Sequence, residues 1–118
     1  MPKILLVDDA AFMRMRSAKL LTEHGYEVEE AENGQEAVLK YQACRPDLVL
    51  MDITMPVMDG ITATREIKRI DPNAKIVMVS ALGQQSMVIE AIKAGAKDFV
   101  VKPFEPEKIL ATVRKFTS

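Results

Sequence analysis

Five polar residues of this 118-residue chain stand directly behind, or close, short apolar runs: Asp8 and Asp9 after KILLV, Asp52 after LVLM, Ser80 at the end of KIVMVS, and Lys102 after DFVV. Singly they say little. An Asp behind a strand is commonly a turn residue or a helix N-cap, and Asp9 could simply cap the helix that follows. A lone lysine is usually solvated, and a lone serine is uninformative. Together they describe one chemistry. Three carboxylates brought into one crevice repel and stay protonated unless a cation is present. Hard oxygen ligands of this kind suit Mg²⁺, with Mn²⁺ as a substitute, and Mg²⁺ needs only one or two carboxylates directly. A lysine and a hydroxyl opposite them complete a phosphoryl site, where positioning and charge neutralisation do most of the catalysis. Asp52 can serve there as the nucleophile, since carboxylates form aspartyl-phosphates.

The residues meet only if the apolar runs are neighbouring strands with their carboxyl ends on one side. The pattern supplies that. Strands are predicted at Lys3–Val7, Tyr26–Ala31, Leu48–Met51, Lys75–Ser80 and Asp98–Val101. Helices of 3.6 period alternate with them: Ala10–His24 stopped by Gly25, a helix opened by Asn33-x-x-Glu36, one from about Gly60 with Ile61, Thr64, Ile67 and Ile70 on one face, Gln84–Ala94 closed by Gly95, and a last helix striped by Ile109, Val113 and Phe116. Strands this apolar need cover on both faces, which βαβ crossovers provide. The fold class is α/β: a single-domain, doubly wound (βα)5 parallel sheet, with ligands bound outside the strands' carboxyl ends.

Composition narrows the function further. Lys+Arg 16 against Asp+Glu 17 gives a net charge of −1, which speaks against direct nucleic-acid binding. One cysteine, Cys44, excludes an internal disulfide and suits a reducing compartment. No apolar run is long enough to span a membrane, and MPKILLVDDA is not a signal peptide. The expectation is a cytoplasmic, monomeric domain covering 1–118.

LLVDDA, LVLMDITMPVMDG, VSA and VKPF resemble the receiver domains of bacterial two-component response regulators. The resemblance covers Lys3 to about Lys115. It implies the flavodoxin-like, CheY-like strand order 2-1-3-4-5 and a phosphorylatable signalling switch rather than a turnover enzyme. It implies that Asp52 accepts a phosphoryl group from a histidine kinase of CheA type. Asp9 and Asp52 would bind Mg²⁺ directly, with the backbone carbonyl of Thr54, and Asp8 would act mainly through water. Ser80 would turn toward the phosphoryl oxygens, Lys102 would pair with one, and Lys102-Pro103 would be a cis peptide. Phe99 stands at the aromatic switch position, often Tyr, and its burial would change the helix-four, strand-five, helix-five surface. DDAAFMRM and ALGQQSMVIEAIKAGAKDFVVKPF resemble free-standing chemotaxis receivers, whose output partner would be the flagellar motor switch.

Other readings compete. The chain could be the receiver of a longer DNA-binding regulator. An aspartyl-nucleophile phosphatase would want a second Asp at position 54, where Thr stands; a flavin carrier would want a phosphate-cradling loop, and DDAA would repel phosphate. Met13, Met15, Met55 and Met58 suit adaptable packing or a plastic docking surface for kinase and phosphatase. Met87 and Val88 are core positions or partner contacts, and His24 carries no chemistry. By the resemblance, Thr54 and Leu82 tune signal lifetime. Because Leu82 cannot hydrogen-bond an attacking water, Leu82→Gln is expected to speed decay of labelled aspartyl-phosphate; unchanged or slower decay contradicts this.

Overall fold

Every residue of Leu48–Asp52 (β3) is buried, the condition of a strand covered on both faces. In the computed structural model, which describes residues 1–81, 83–102 and 105–118, β3 is central in a five-stranded parallel sheet ordered β2-β1-β3-β4-β5. Its neighbours are Lys3–Val7 (β1) and Ile76–Ser80 (β4); Glu27–Ala31 (β2) and Asp98–Val101 (β5) are the edges. Helices alternate with strands: Ala11–Glu23 (α1), Gly34–Cys44 (α2), Gly60–Ile70 (α3), Gln85–Lys93 (α4) and Pro106–Thr117 (α5). The expected order and class are both observed. Leu82 and the Lys102–Pro103 peptide expectation lie outside the described residues.

Alternate residues of β1, β3 and β4 feed opposite cores, as the period of two requires. Leu5, Val7, Val49, Met51, Ile76 and Met78 join α2, α3 and α4 on one face. Ile4, Leu6, Leu48, Leu50, Val77 and Val79 join Leu21 of α1 and Ile109, Leu110 and Val113 of α5 on the other. The apolar appearance of DFVV predicts cover on both faces, yet Phe99 and Val101 are 42% and 36% exposed. Edge position alone is not the reason, since Val100 between them is buried; Phe99 and Val101 share the face that opens on the groove beside Val88 and Ile89.

Helix ends follow local chemistry. Asn33 accepts from the Glu36 amide and Asp59 from the Thr62 amide, each at 2.8 Å, satisfying first-turn donors. The Arg45 residue that ends α2 is left-handed at φ 45°, just before Pro46. Asp9 does not cap α1. The boundary residue is Ala10, whose amide donates to Asp8 Oδ1 at 2.9 Å, so Asp9 is one position too early and stays exposed.

Gly60 opens α3 against the backbone of Asp52. A Cβ there would lie 1.9 Å from the Asp52 carbonyl oxygen, and the Gly60 amide donates to the Ile53 carbonyl at 2.7 Å. The glycine lets the helix start close enough to fix the turn after β3. Gly60→Ala is therefore expected to lower stability in urea by about 1–3 kcal/mol, although Ala favours helices by about 1 kcal/mol over Gly; a stabilised variant would contradict the close approach.

Candidate functional site

Register places the polar residues before any side chain is considered. Val7 pairs with Met51, which sets Asp8 beside Asp52, and Asp52 itself pairs with Val79. Ser80 pairs with Val101, and the Lys102 amide donates to the Ser80 carbonyl at 2.7 Å. Four strands thus deliver Asp8 and Asp9, Asp52, Ser80 and Lys102 to the same end of the sheet. The lysine closes the group. Its Nζ lies 3.1 Å from Asp52 Oδ2 and 3.3 Å from Asp8 Oδ2, spanning β5 to β1.

Asp52 is only 8% exposed, and burial is the main force on it. Its pKa is raised to about 6, chiefly by desolvation; Lys102 pulls against this, Asp8 adds to it, and the Ile53 amide, donating to Oδ1 at 2.9 Å, pulls against it. Burial also works against the Lys102 ammonium, but Asp52 and Asp8 outweigh it and hold that ammonium above the ordinary lysine range. One cation therefore sits between two carboxylates, with a third, Asp9, exposed at the rim.

One oxygen from each of Asp8, Asp9 and Asp52 lies within 4.8 Å of the others. An all-carboxylate set open to water on one side fits a hard divalent cation, which keeps several waters of its own. Thr54 stands two residues beyond Asp52, exposed, and its hydroxyl accepts from Gln84 Nε2 at 2.9 Å. Ser80 is 2% exposed at the end of β4. It also lines an apolar groove of about 270 Å³ with Val88, Ile89, Phe99 and Val101, so site and groove share a wall.

Other sequence-singled residues separate. Met55 is core and Met58 packs against the core, while Met15 is 62% exposed. Met13 lines a water-sized cavity with Asp8, Ser17 and Lys102. Val88 is core and Met87 is exposed. His24 ends α1, its Nδ1 2.9 Å from the Leu20 carbonyl, and lines a pocket with Pro2 and Arg114, away from the carboxylates.

Several supports escape sequence reasoning. Arg14 Nη1 donates to the Asp8 carbonyl at 2.6 Å, and its Nε pairs with Glu30 Oε1 at 3.0 Å. Nothing in the spacing of β2 flags Glu30 as the anchor of that arginine. Gly34 is a second close approach: its Cβ would stand 2.4 Å from the Met58 carbonyl, which its amide meets at 2.9 Å. Of these supports only Gly34 leaves a trace in the sequence, as a glycine at a helix start, like Gly60.

Residues 4–114 match the response regulator receiver domain model. Chemotaxis protein CheY of Thermotoga maritima is 61% identical over 114 residues, covering 96% of this chain and 95% of that one. Chemotaxis protein CheY of Bacillus subtilis is 62% identical with the same coverage. Among solved structures, CheY in the CheX-CheY-BeF3-Mg complex from Borrelia burgdorferi superposes with a TM-score of 0.89 at 40% identity, covering 96% of this chain and 87% of that one.

Burial of Asp52 gives a pH dependence of its own. A carboxyl whose folded pKa is raised binds its proton more tightly in the folded state, so stability falls as pH climbs from the ordinary 3.8 through about 6. A displacement of roughly two units corresponds to about 3 kcal/mol, part of which Asn would forfeit by losing Lys102. In chelator, Asp52→Asn is expected to be about 1–3 kcal/mol more stable than wild type at pH 7.5, the difference vanishing near pH 4. Urea unfolding at the two pH values checks it; an Asn variant less stable at pH 7.5 contradicts it.

Proposed function

The chain belongs to the response regulator receiver domain family, and we propose that within this family of phosphorylatable signalling switches Asp52 accepts the phosphoryl group from the phosphohistidine of a CheA-like sensor kinase. The observation that carries the assignment is Lys102 Nζ held 3.1 Å from Asp52 and 3.3 Å from Asp8 at the end of a buried strand. We read residues 1–118 as one receiver domain. No helix among the described residues is long and apolar enough to cross a membrane, and the proposed place of action is the cytoplasm.

In the transfer, an ionised Asp52 oxygen attacks phosphorus, the bond from phosphorus to the kinase imidazole nitrogen breaks, and that nitrogen keeps the electron pair. Lys102 then pairs with a phosphoryl oxygen, and the Ser80 hydroxyl turns to donate to another. Receiver domains hold Mg²⁺ through acidic residues; here Asp9, Asp52 and the Thr54 carbonyl would hold it directly and Asp8 mainly through water. When bound, the metal neutralises charge on the phosphoryl oxygens. Asp8 and Asp9 thus act by placing negative charge around the acceptor, which keeps Asp52 dependent on a cation.

Phosphorylation adds about 1.5–2 negative charges and three strong acceptors. Two hydrogen bonds to a charged group, at roughly 1.5–3 kcal/mol each, supply about 3–6 kcal/mol. Taking an equilibrium from 1:99 to 99:1 needs about 5.5 kcal/mol. The two magnitudes match. As Ser80 leaves the wall of the groove, Phe99, 42% exposed, turns in, and the face of α4, β5 and α5 changes. The chemotaxis relatives favour the flagellar motor switch as the protein that reads this face, and the CheX complex of the Borrelia protein favours a CheX-like protein as a second partner.

Acetyl phosphate with Mg²⁺ is expected to phosphorylate wild type and not Asp52→Asn, read by intact mass. The phosphorylated protein is expected to bind a flagellar-switch peptide more tightly than the unmodified one. Equal incorporation into Asp52→Asn overturns the acceptor, whereas incorporation without peptide binding removes only the motor-switch partner.

A further inference from the structure

We propose that Gln84 is a positioning residue of the phosphoryl site, a tie between the two loops flanking Asp52 that must open before a phosphoryl group can take the Ala81 amide. The inference rests on Asp52 being the acceptor. Gln84 immediately precedes α4, yet its side chain makes no cap hydrogen bond to that helix. It turns to the site instead. The Ala81 amide donates to Gln84 Oε1 at 2.7 Å, and Gln84 Nε2 donates to Thr54 Oγ1 at 2.9 Å, with Met87 Sδ at 3.8 Å.

The two anchors are telling. Thr54 lies two residues beyond Asp52, and Ala81 directly follows buried Ser80 on the strand that pairs with β3. Ala81 offers the first backbone N–H beyond β4, and an amide has a single proton to give. A phosphoryl oxygen is the stronger acceptor, because charge-assisted hydrogen bonds are roughly twice as strong as neutral ones. The neutral amide oxygen of Gln84 therefore holds the N–H while the site is empty of phosphoryl and yields it afterwards. Once the tie opens, Gln84, the residue before α4, is no longer pinned to Ala81. That helix carries Gln85, Val88 and Ile89 to the groove shared with Phe99, so the tie links the acceptor to the surface that changes.

Beryllofluoride with Mg²⁺, a phosphoryl mimic, is the probe on the full chain, together with hydrogen exchange of the Ala81 amide in the unmodified protein. Gln84→Ala is expected to speed Ala81 exchange and to bind beryllofluoride about tenfold more tightly, a gain of about 1.4 kcal/mol and the scale of one or two neutral hydrogen bonds. Gln84→Glu keeps an oxygen for the Ala81 amide but adds charge, so exchange is expected to stay slow while beryllofluoride binds more weakly than to wild type. A merely structural glutamine would lower the melting temperature without tightening binding. Unchanged Ala81 exchange in Gln84→Ala, or an affinity equal to or below wild type, overturns the tie and leaves the acceptor standing. Wild type that fails to bind beryllofluoride, or Asp52→Asn that binds it equally, overturns the acceptor and the tie with it.

Discussion

Lys102 lies between Asp52 and Asp8, and the rest of the carboxyl end of the sheet is arranged around that three-way contact. A carboxylate buried to 8% exposure resists ionisation, as its pKa of about 6 records. One lysine offsets part of this and cannot offset all of it, because it serves two carboxylates. The shortfall leaves negative charge that a divalent cation could offset, whereas a fully paired ion pair would leave none. The apolar runs before each polar residue then have a plain role. They fix four strands so rigidly in register that the charges cannot move apart to relieve themselves.

The backbone enforces the same constraint. Gly60 lets α3 start against the Asp52 carbonyl, and Gly34 lets α2 start against the Met58 carbonyl, so the loop from Asp52 to Gly60 is held at both ends. Arg14, braced by Glu30, holds the Asp8 carbonyl in the corresponding way on β1. The groove beside Phe99 is less firmly built, being formed by an edge strand and a short helix. A firmly braced Asp52 beside a less firmly built surface is the division of labour that the proposed switch would need.

Most of the fold was legible because β1, β3 and β4 are apolar on both faces, and only covered parallel strands look like that. The same cue misjudged one face of β5, where Phe99 and Val101 are exposed while Val100 is buried, since hydrophobicity does not say which face a helix leaves open. The convergence of Asp8, Asp9, Asp52, Ser80 and Lys102 was legible because each stands at a strand end. The braces were not. Arg14 meets Glu30 from sixteen residues away, and Gln84 reaches Thr54 across thirty. Contacts between segments distant in the sequence depend on backbone path and rotamer, neither of which leaves a period in the sequence. The methionines divided for a related reason: their type permits core and surface alike, and only the packing separates Met55 from Met15.

The central claim is that Asp52 is a buried carboxylate whose charge is held by Lys102 and left wanting a cation. Carbon-13 NMR titration of the Asp52 side-chain carboxyl, in wild type and Lys102→Met with and without Mg²⁺, tests it most directly. The expected result is a midpoint near 6 in metal-free wild type, higher in Lys102→Met, and lower in both when Mg²⁺ is added. A midpoint in the ordinary range of about 4, indifferent to Lys102 and to Mg²⁺, would contradict it.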